Sequence, residues 1–234
     1  MNLAPTPVGL LVVDKEPGFT SMDVCAIIRG RLRRGGAPKG IKVGHGGTLD
    51  PLATGVLVVL VGKATKRCDE IMAGEKEYLA DIDLAHRSTT DDAEGERTEV
   101  LPPEPPTIDQ VRARASLLTG RIMQIPPAFS AVKVDGRRAY AQARKGRDVV
   151  IEPRPVDVHE FAILDFLWPL ARTRVRCGKG TYVRSLARDL GSGLGCGGML
   201  TSLRRTRVGA FGIEQARRLG EIPNALAQAD LLPA

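Results

Sequence analysis

The sequence predicts an α+β fold: a mixed, mostly antiparallel central sheet flanked by helices. Three observations carry this. Strand-like apolar or alternating runs are interspersed with helical patterns, they follow no strict β-α-β rhythm, and no internal repeat runs through the 234 residues. The 43% hydrophobic fraction suffices for a core, and 26 Gly with 16 Pro stay below the level of a low-complexity chain. With no strong boundary signal, one domain over 1–234 is the simpler expectation.

Taken in order, Gly9 to Asp14 reads as a buried strand, and Ser21 is placed to cap a helix whose Val24, Ile27, Ile28 and Leu32 recur at helical spacing. A loop rich in Gly, Lys and Arg leads to a second loop, His45 to Thr54. Gly55 to Val61 is a continuous apolar strand, and a short helix begins near Ala64. Tyr78, Ala80, Ile82 and Leu84 alternate with Asp81 and Asp83, the period of a half-buried strand. Thr90 to Gly95 is turn-like, and Pro102 to Pro106 is a connector.

Thr107 with Gln110 forms a capping box that opens a helix, which Gly120 is placed to stop. Gln124 to Val134 reads as extended, Asp135-Gly136 as a turn, and Arg138 to Lys145 as a helix ended by Gly146. Strands are expected at Val156 to Asp165 and Arg172 to Cys177, then a helix over Tyr182 to Leu190. The final segment runs from Gly191 through Arg204-Arg205-Thr206-Arg207 to a short helix near Gln215, with no strand assigned to it.

Composition excludes several classes. The longest apolar stretch, Val56 to Val61, is too short to span a bilayer, and Met1 to Pro7 lacks the pattern of a signal peptide, so the cytoplasm is the expected compartment. Cys25, Cys68, Cys177 and Cys196 lie far apart without a C-x-x-C pair; they read as core thiols rather than a zinc site or disulfide framework. One Trp, three Tyr and five Phe are too few for a module that stacks successive bases on exposed rings.

The net charge of +7 is unevenly spread: residues 69–104 hold 12 acids and 3 bases. Bases concentrate in Arg29 to Lys42, Lys133 to Arg154, Arg172 to Arg188 and Arg204 to Arg218. Clustered Lys and Arg gain free energy by releasing counterions from phosphates, so a polyanion is the natural partner, against the plainer reading of a solvated basic face.

Two motifs match by letter and fail by context. Gly193-Leu-Gly195-Cys-Gly197-Gly198 fits G-x-G-x-x-G, but the helix stands before the glycines instead of after them, so no helix N-terminus could meet a pyrophosphate. Gly55 to Lys63 imitates a P-loop, yet six residues separate its glycines and Ala64 stands where the magnesium-binding hydroxyl belongs.

The informative segment is Gly44-His45-Gly46-Gly47-Thr48-Leu49-Asp50-Pro51-Leu52-Ala53-Thr54-Gly55-Val56-Leu57. A carboxylate in a Gly-rich loop before a fully apolar strand can be presented by a rigid element; taken alone, Asp50-Pro51 reads more simply as a turn. Four further blocks accompany it in order. They are Asp14-Lys15-Glu16-Pro17-Gly18-Phe19-Thr20-Ser21; Lys76-Glu77-Tyr78 with Asp92-Ala93-Glu94-Gly95-Glu96; Gln124 to Lys133 continuing to Arg144-Lys145-Gly146; and Gly178-Lys179-Gly180-Thr181-Tyr182-Val183-Arg184 running on to Leu203-Arg204-Arg205-Thr206-Arg207-Val208-Gly209-Ala210-Phe211. Together they resemble the TruB family of tRNA pseudouridine synthases, over about residues 8 to 213.

The resemblance implies the pseudouridine synthase fold and isomerisation of the T-loop uridine at position 55 of tRNA, without cofactor or metal, by a cytoplasmic monomer whose partner is the tRNA T-arm. It implies Asp50 as the nucleophile on a flipped-out nucleotide, Arg184 as the cation that keeps that carboxylate charged, and Tyr78 as the aromatic against the base. His45 and Tyr182 with Leu203 are implied substrate contacts, and Lys15, Lys179 and Arg204 are expected on phosphates. Residues 124–147 correspond to an RNA-gripping segment.

Two departures stand out. Leu84-Ala85-His86-Arg87-Ser88-Thr89-Thr90 has Thr89 where the family has Asp, with Asp91 or Asp92 as substitutes, and the C-terminal RNA-binding domain of many relatives is expected to be absent. The competing reading is a non-catalytic RNA-binding or tRNA-folding protein.

Overall fold

A computed structural model describes residues 6–130, 133–134, 137–138 and 151–233. The turn expected at Asp135-Gly136, the helix expected over Arg138 to Lys145 beyond its first residue, and most of the segment 124–147 lie outside the described residues; Arg138 itself is in a strand. The architecture is mixed α+β, with strands paired mostly antiparallel and four α-helices among the described residues. Cα proximity divides the chain into two compact units, residues 1–77 with 204–234, and residues 78–203.

In the first unit, β1 (Gly9–Lys15) pairs antiparallel with β3 (Thr54–Val61) over its whole length. β3 has branched residues at Val56, Val58, Val59 and Val61, and every residue from Gly55 on is buried. That continuous apolar run is the mark of a strand covered on both faces. One face forms a core of Leu10, Val12, Val56, Val58, Leu60, Ala64, Ile71 and Val208. β2 (Val43–His45) pairs antiparallel with β3, and α1 (Ser21–Arg34) packs against β2 with Val24, Cys25, Ile28 and Leu32 buried. Each such Val, Leu or Ile side chain contributes about 1.5–3 kcal/mol.

The start of α1 corrects the sequence expectation. The N-cap is Thr20, whose hydroxyl accepts from Asp23 N while Asp23 returns a carboxylate to Thr20 N. Ser21 is the first helical residue, and its hydroxyl is engaged elsewhere. After β3 come a 3-10 turn (Gly62–Arg67) and α2 (Cys68–Ala73), as expected near Ala64.

β4 (Lys76–Asp83) and β12 (Met199–Val208) each run across the division between the units. β12 lies where no strand was expected. Its Arg204 and Arg205 pair in parallel with Thr54 and Gly55 of β3, and its far end turns back on β13 (Phe211–Gly212). β14 (Arg217–Arg218) adds to β1, so the first unit reads β14-β1-β3-β12.

The second unit reads β12-β4-β11-β10-β7. β10 (Arg154–Leu167) and β11 (Leu170–Cys177) form a long antiparallel pair with two register shifts, and β7 (Gly120–Gln124) adds to the edge. Small pairs form between β5 (His86–Ser88) and β6 (Arg97–Glu99), and between β8 (Lys133–Val134) and β9 (Arg137–Arg138). α3 (Ile108–Leu117) opens on the Thr107–Gln110 capping box, as its sequence predicts. It is capped by Leu118, so Gly120 does not stop it; Gly120, at φ 93°, begins β7. α4 (Val183–Gly193) buries Val183, Leu186, Ala187 and Leu190. The Gly193–Gly198 glycines follow this helix and precede β12, the reverse of the dinucleotide-binding order.

Candidate active site

Of the nine expected site residues, the first unit holds Lys15, His45, Asp50 and Arg204, and the second holds Tyr78, Lys179, Tyr182, Arg184 and Leu203.

Asp50 is half-buried on the loop between β2 and β3. The loop lacks regular structure of its own, so hydrogen bonds within it and to the rest of the unit fix its backbone. Gly46 N donates to Val58 O, and a side chain at Gly46 would overlap Ile71. Ser21 Oγ donates to Leu49 O at 3.0 Å and accepts from Leu49 N at 2.8 Å. Ala53 N donates to Asp50 O at 3.0 Å, closing a turn, and Gly18 N donates to Pro51 O at 3.0 Å. Leu49 and Ala53 are buried and anchor both flanks of the turn. Asp50-Pro51 is thus a turn, and the loop that carries the Asp50 carboxylate is tied to the rest of the unit on both sides of it.

Lys15 corrects the expectation of a phosphate contact. It is 0% exposed, and its ammonium donates to Glu16 O, Phe19 O and Pro51 O at 3.0, 2.7 and 3.2 Å. An ammonium sealed among carbonyls braces the Asp50 turn instead of meeting solvent. Its neighbour Asp14 takes Arg204, whose Nη2 donates to Asp14 Oδ2 at 2.9 Å. Arg204 keeps 39% of its side chain exposed.

His45 ends β2 at the mouth of this loop, and its carbonyl accepts from Cys68 Sγ. Its Nδ1 is buried and makes no hydrogen bond among the described residues. Burial, with the charge of Arg205 nearby, pushes the imidazole below its ordinary range, so the ring is neutral near pH 7.

In the second unit, Tyr78 is buried in β4, where Ala80 and Ile82 share its alternation. Arg184, 5% exposed in the first turn of α4, lies 3.4 Å from the Asp92 carboxylate and donates to Thr90 O and Phe129 O, both at 3.0 Å. Asp92 is itself buried and accepts from Glu94 N and Thr90 Oγ1. Asp91, held at φ 61°, pairs with Arg188 at 2.8 Å. The segment carrying Thr89 thus supplies its carboxylates from two and three residues further on, Asp91 to Arg188 and Asp92 to Arg184.

Tyr182 precedes α4 without a side-chain cap. The buried Gln124 instead fixes the Tyr182 backbone, its Oε1 accepting from Tyr182 N at 2.8 Å and its Nε2 donating to Tyr182 O at 3.1 Å. The Arg154 guanidinium lies 5.1 Å from the Tyr182 ring centroid, within cation–π range. Lys179 is exposed in the turn before α4, and Leu203 is buried in β12.

Sequence reasoning missed Gln124 as the brace of the Tyr182 backbone and Arg205 as a loop brace. Gln124 carries no local signal, because its partner is 58 residues away. Among the described residues no group of His, Cys, Asp and Glu could hold a metal ion, and no helix is long and apolar enough to cross a membrane.

The model of the TruB family pseudouridylate synthase N-terminal domain matches residues 34–183. The chain belongs to the TruB family. A model of the tRNA pseudouridylate synthase B C-terminal domain matches residues 184–232, the stretch from α4 to the end of the described chain. TruB relatives include the tRNA pseudouridine synthase B of Streptomyces griseus subsp. griseus, 48% identical over 227 residues, covering 92% of this chain and 73% of the relative. That of Thermobifida fusca is 50% identical over 222 residues, covering 92% and 74%.

Two solved structures are similar. A Cbf5–Nop10–Gar1 complex matches at TM-score 0.69 and 31% identity over 91% of this chain and 52% of that one. An H/ACA RNP bound to a substrate RNA containing 2'-deoxyuridine matches at TM-score 0.64 and 29% identity, over 91% and 51%. This TruB chain thus spans about half the length of each of those two chains.

Proposed function

We propose that this TruB chain isomerises uridine to pseudouridine in the T-loop of tRNA, at position 55, with Asp50 attacking a flipped-out nucleotide. The observation that carries the reading is the bracing of the Asp50 turn by buried donors on both sides, Ser21 at Leu49 and Lys15 at Pro51. A nucleophile must be delivered in one direction, and a loop fixed before substrate arrives avoids ordering it during the reaction. TruB membership and relatives named tRNA pseudouridine synthase B support the substrate and reaction.

The reaction detaches uracil from C1' at N1 and rejoins it through C5, so C5 must lose a proton and N1 must gain one. No oxidant and no second substrate enter the balance. Asp50 supplies the electron pair, Arg184 the positive charge that favours its ionised form, and Tyr78 the aromatic face against the base. Neutral His45 and Tyr182 with Leu203 hold the extracted nucleotide, whose extrusion costs a few kcal/mol that pocket and backbone contacts offset. Lys179 and Arg204 meet phosphates of the T-arm, and the enzyme acts as a cytoplasmic monomer.

Base conversion tests the reading. Unmodified tRNA incubated with the chain is mapped for pseudouridine by mass spectrometry, and conversion is expected in the T-loop. Tight tRNA binding with no conversion anywhere would leave a non-catalytic RNA-binding protein in its place.

A further inference from the structure

Arg205 sits in β12 with 1% of its surface exposed. Its guanidinium meets main-chain oxygens: Nε donates to Val56 O at 2.8 Å, Nη1 to Thr48 O at 3.3 Å and Nη2 to Gly47 O at 3.0 Å. Among the described residues no carboxylate pairs with it. Burying an unpaired charge is costly, and an apolar residue would fill a strand position facing the core at less cost. What the guanidinium adds is a planar fork, which reaches three oxygens on two segments at once, where a lysine offers one compact charge.

Those two segments are β3 and the loop that carries Asp50. Val56 O is fixed by the sheet, so Arg205 ties the Gly47 and Thr48 peptide planes to a rigid strand. Gly47 adopts φ 121°, a left-handed backbone that favours glycine, and its carbonyl is turned to the Arg205 fork.

We propose that Arg205 is a positioning residue for the isomerisation, fixing the Gly47–Thr48 backbone so that Asp50 is delivered in one orientation. The proposal rests on Asp50 being the nucleophile. The same charge, with burial, keeps His45 neutral.

The test uses the full chain with Arg205→Lys and Arg205→Gln. Both variants are expected to fold and to bind tRNA within roughly threefold of wild type, while kcat falls about 30-fold or more with KM little changed. Hydrogen exchange at residues 47–53 is expected to quicken in both, with β1 and β3 unchanged. A folded Arg205→Lys that keeps kcat within about threefold of wild type overturns the proposal, as does unchanged exchange at 47–53. Parallel loss of kcat, tRNA binding and thermal stability, or failure of both variants to fold, also overturns it, since Arg205 then serves the fold alone. If the wild-type chain makes no pseudouridine, the Asp50 reading fails instead, and the exchange contrast still decides whether Arg205 holds the loop.

Discussion

Ser21 and Leu49 exchange a pair of hydrogen bonds, the serine hydroxyl donating to Leu49 O and accepting from Leu49 N, one residue ahead of Asp50. Both groups are buried, so the hydroxyl does for Leu49 what a neighbouring strand would do. Ser21→Ala leaves a buried N–H and a buried C=O without that partner and should lower stability by about 1–3 kcal/mol. Urea unfolding measures this, and a loss below about 0.5 kcal/mol would mean water replaces the hydroxyl.

Asp50→Asn should reduce pseudouridine formation to background while tRNA binding stays within a few-fold of wild type, because the change removes the proposed nucleophile and leaves the surrounding donors in place. Product analysis and filter binding check the two halves. Loss of binding in step with turnover would make Asp50 a structural residue.

The Arg184–Asp92 and Arg174–Glu160 pairs should differ sharply in worth. The first pair has side chains 6% and 3% exposed, the second 43% and 27%. Asp92→Asn should therefore cost about 3–5 kcal/mol, since it weakens the pairing of a buried guanidinium. Glu160→Gln should cost about 1 kcal/mol or less. Denaturant midpoints of the two variants, compared at one pH, decide.

His45 gives a pH signature of stability. Its folded imidazole ionises below the ordinary value of 6.5, because burial and then Arg205 penalise the cation. On acidification the unfolded chain binds this proton first, so the contribution is fully present above 6.5 and is lost as the pH falls below it. His45→Gln should remove that segment of the pH–stability curve. An NMR titration that places the His45 midpoint at or above the ordinary value would contradict the assignment.

Exposed and buried lysines should separate in their response to salt. Lys179→Ala is expected to flatten the slope of log affinity against log salt by about 0.7–0.9, the loss of one phosphate contact. Lys15→Met should leave the slope unchanged while lowering the melting temperature, because its ammonium is occupied by carbonyls. Equal slopes in both variants would exclude Lys179 from the RNA contact.

The local signals read correctly from sequence. The Thr107–Gln110 box opens a helix, the apolar run before Val61 is a buried strand, and the Tyr78–Ile82 alternation is a half-buried one. Where reading failed, the partner was distant or the residue type misled. Ser21 looked like a cap because serine commonly is one; its hydroxyl is spent 28 residues away, and the cap passes to Thr20. β12 went unseen because Arg205 occupies a core-facing position of its alternation, where a charge argues against burial.

The basic runs were legible as charge but not as use. In the run from Arg29 to Lys42, Arg29 donates to Val43 O, Arg31 to Leu219 O and Ile222 O, and Arg34 to Asn224 O. Guanidiniums in that run thus also staple main chain, and counting charge alone overstates what is left for phosphate. At Asp50 the motif marked the residue, but the brace around it was built from positions up to 158 residues apart.

Gly55 stands at the point where β3 meets β12, with φ 98° and its missing side chain directed at the Arg205 main chain. Even a methyl group there would drive into Arg205 O and N, so alanine is excluded by shape alone. A mutational scan would therefore find position 55 as intolerant as position 50, though the two fail for unrelated reasons. Under the proposed function, intolerance at Asp50 would report on chemistry, whereas at Gly55 it would report only that two main chains share a space with no room for a side-chain atom.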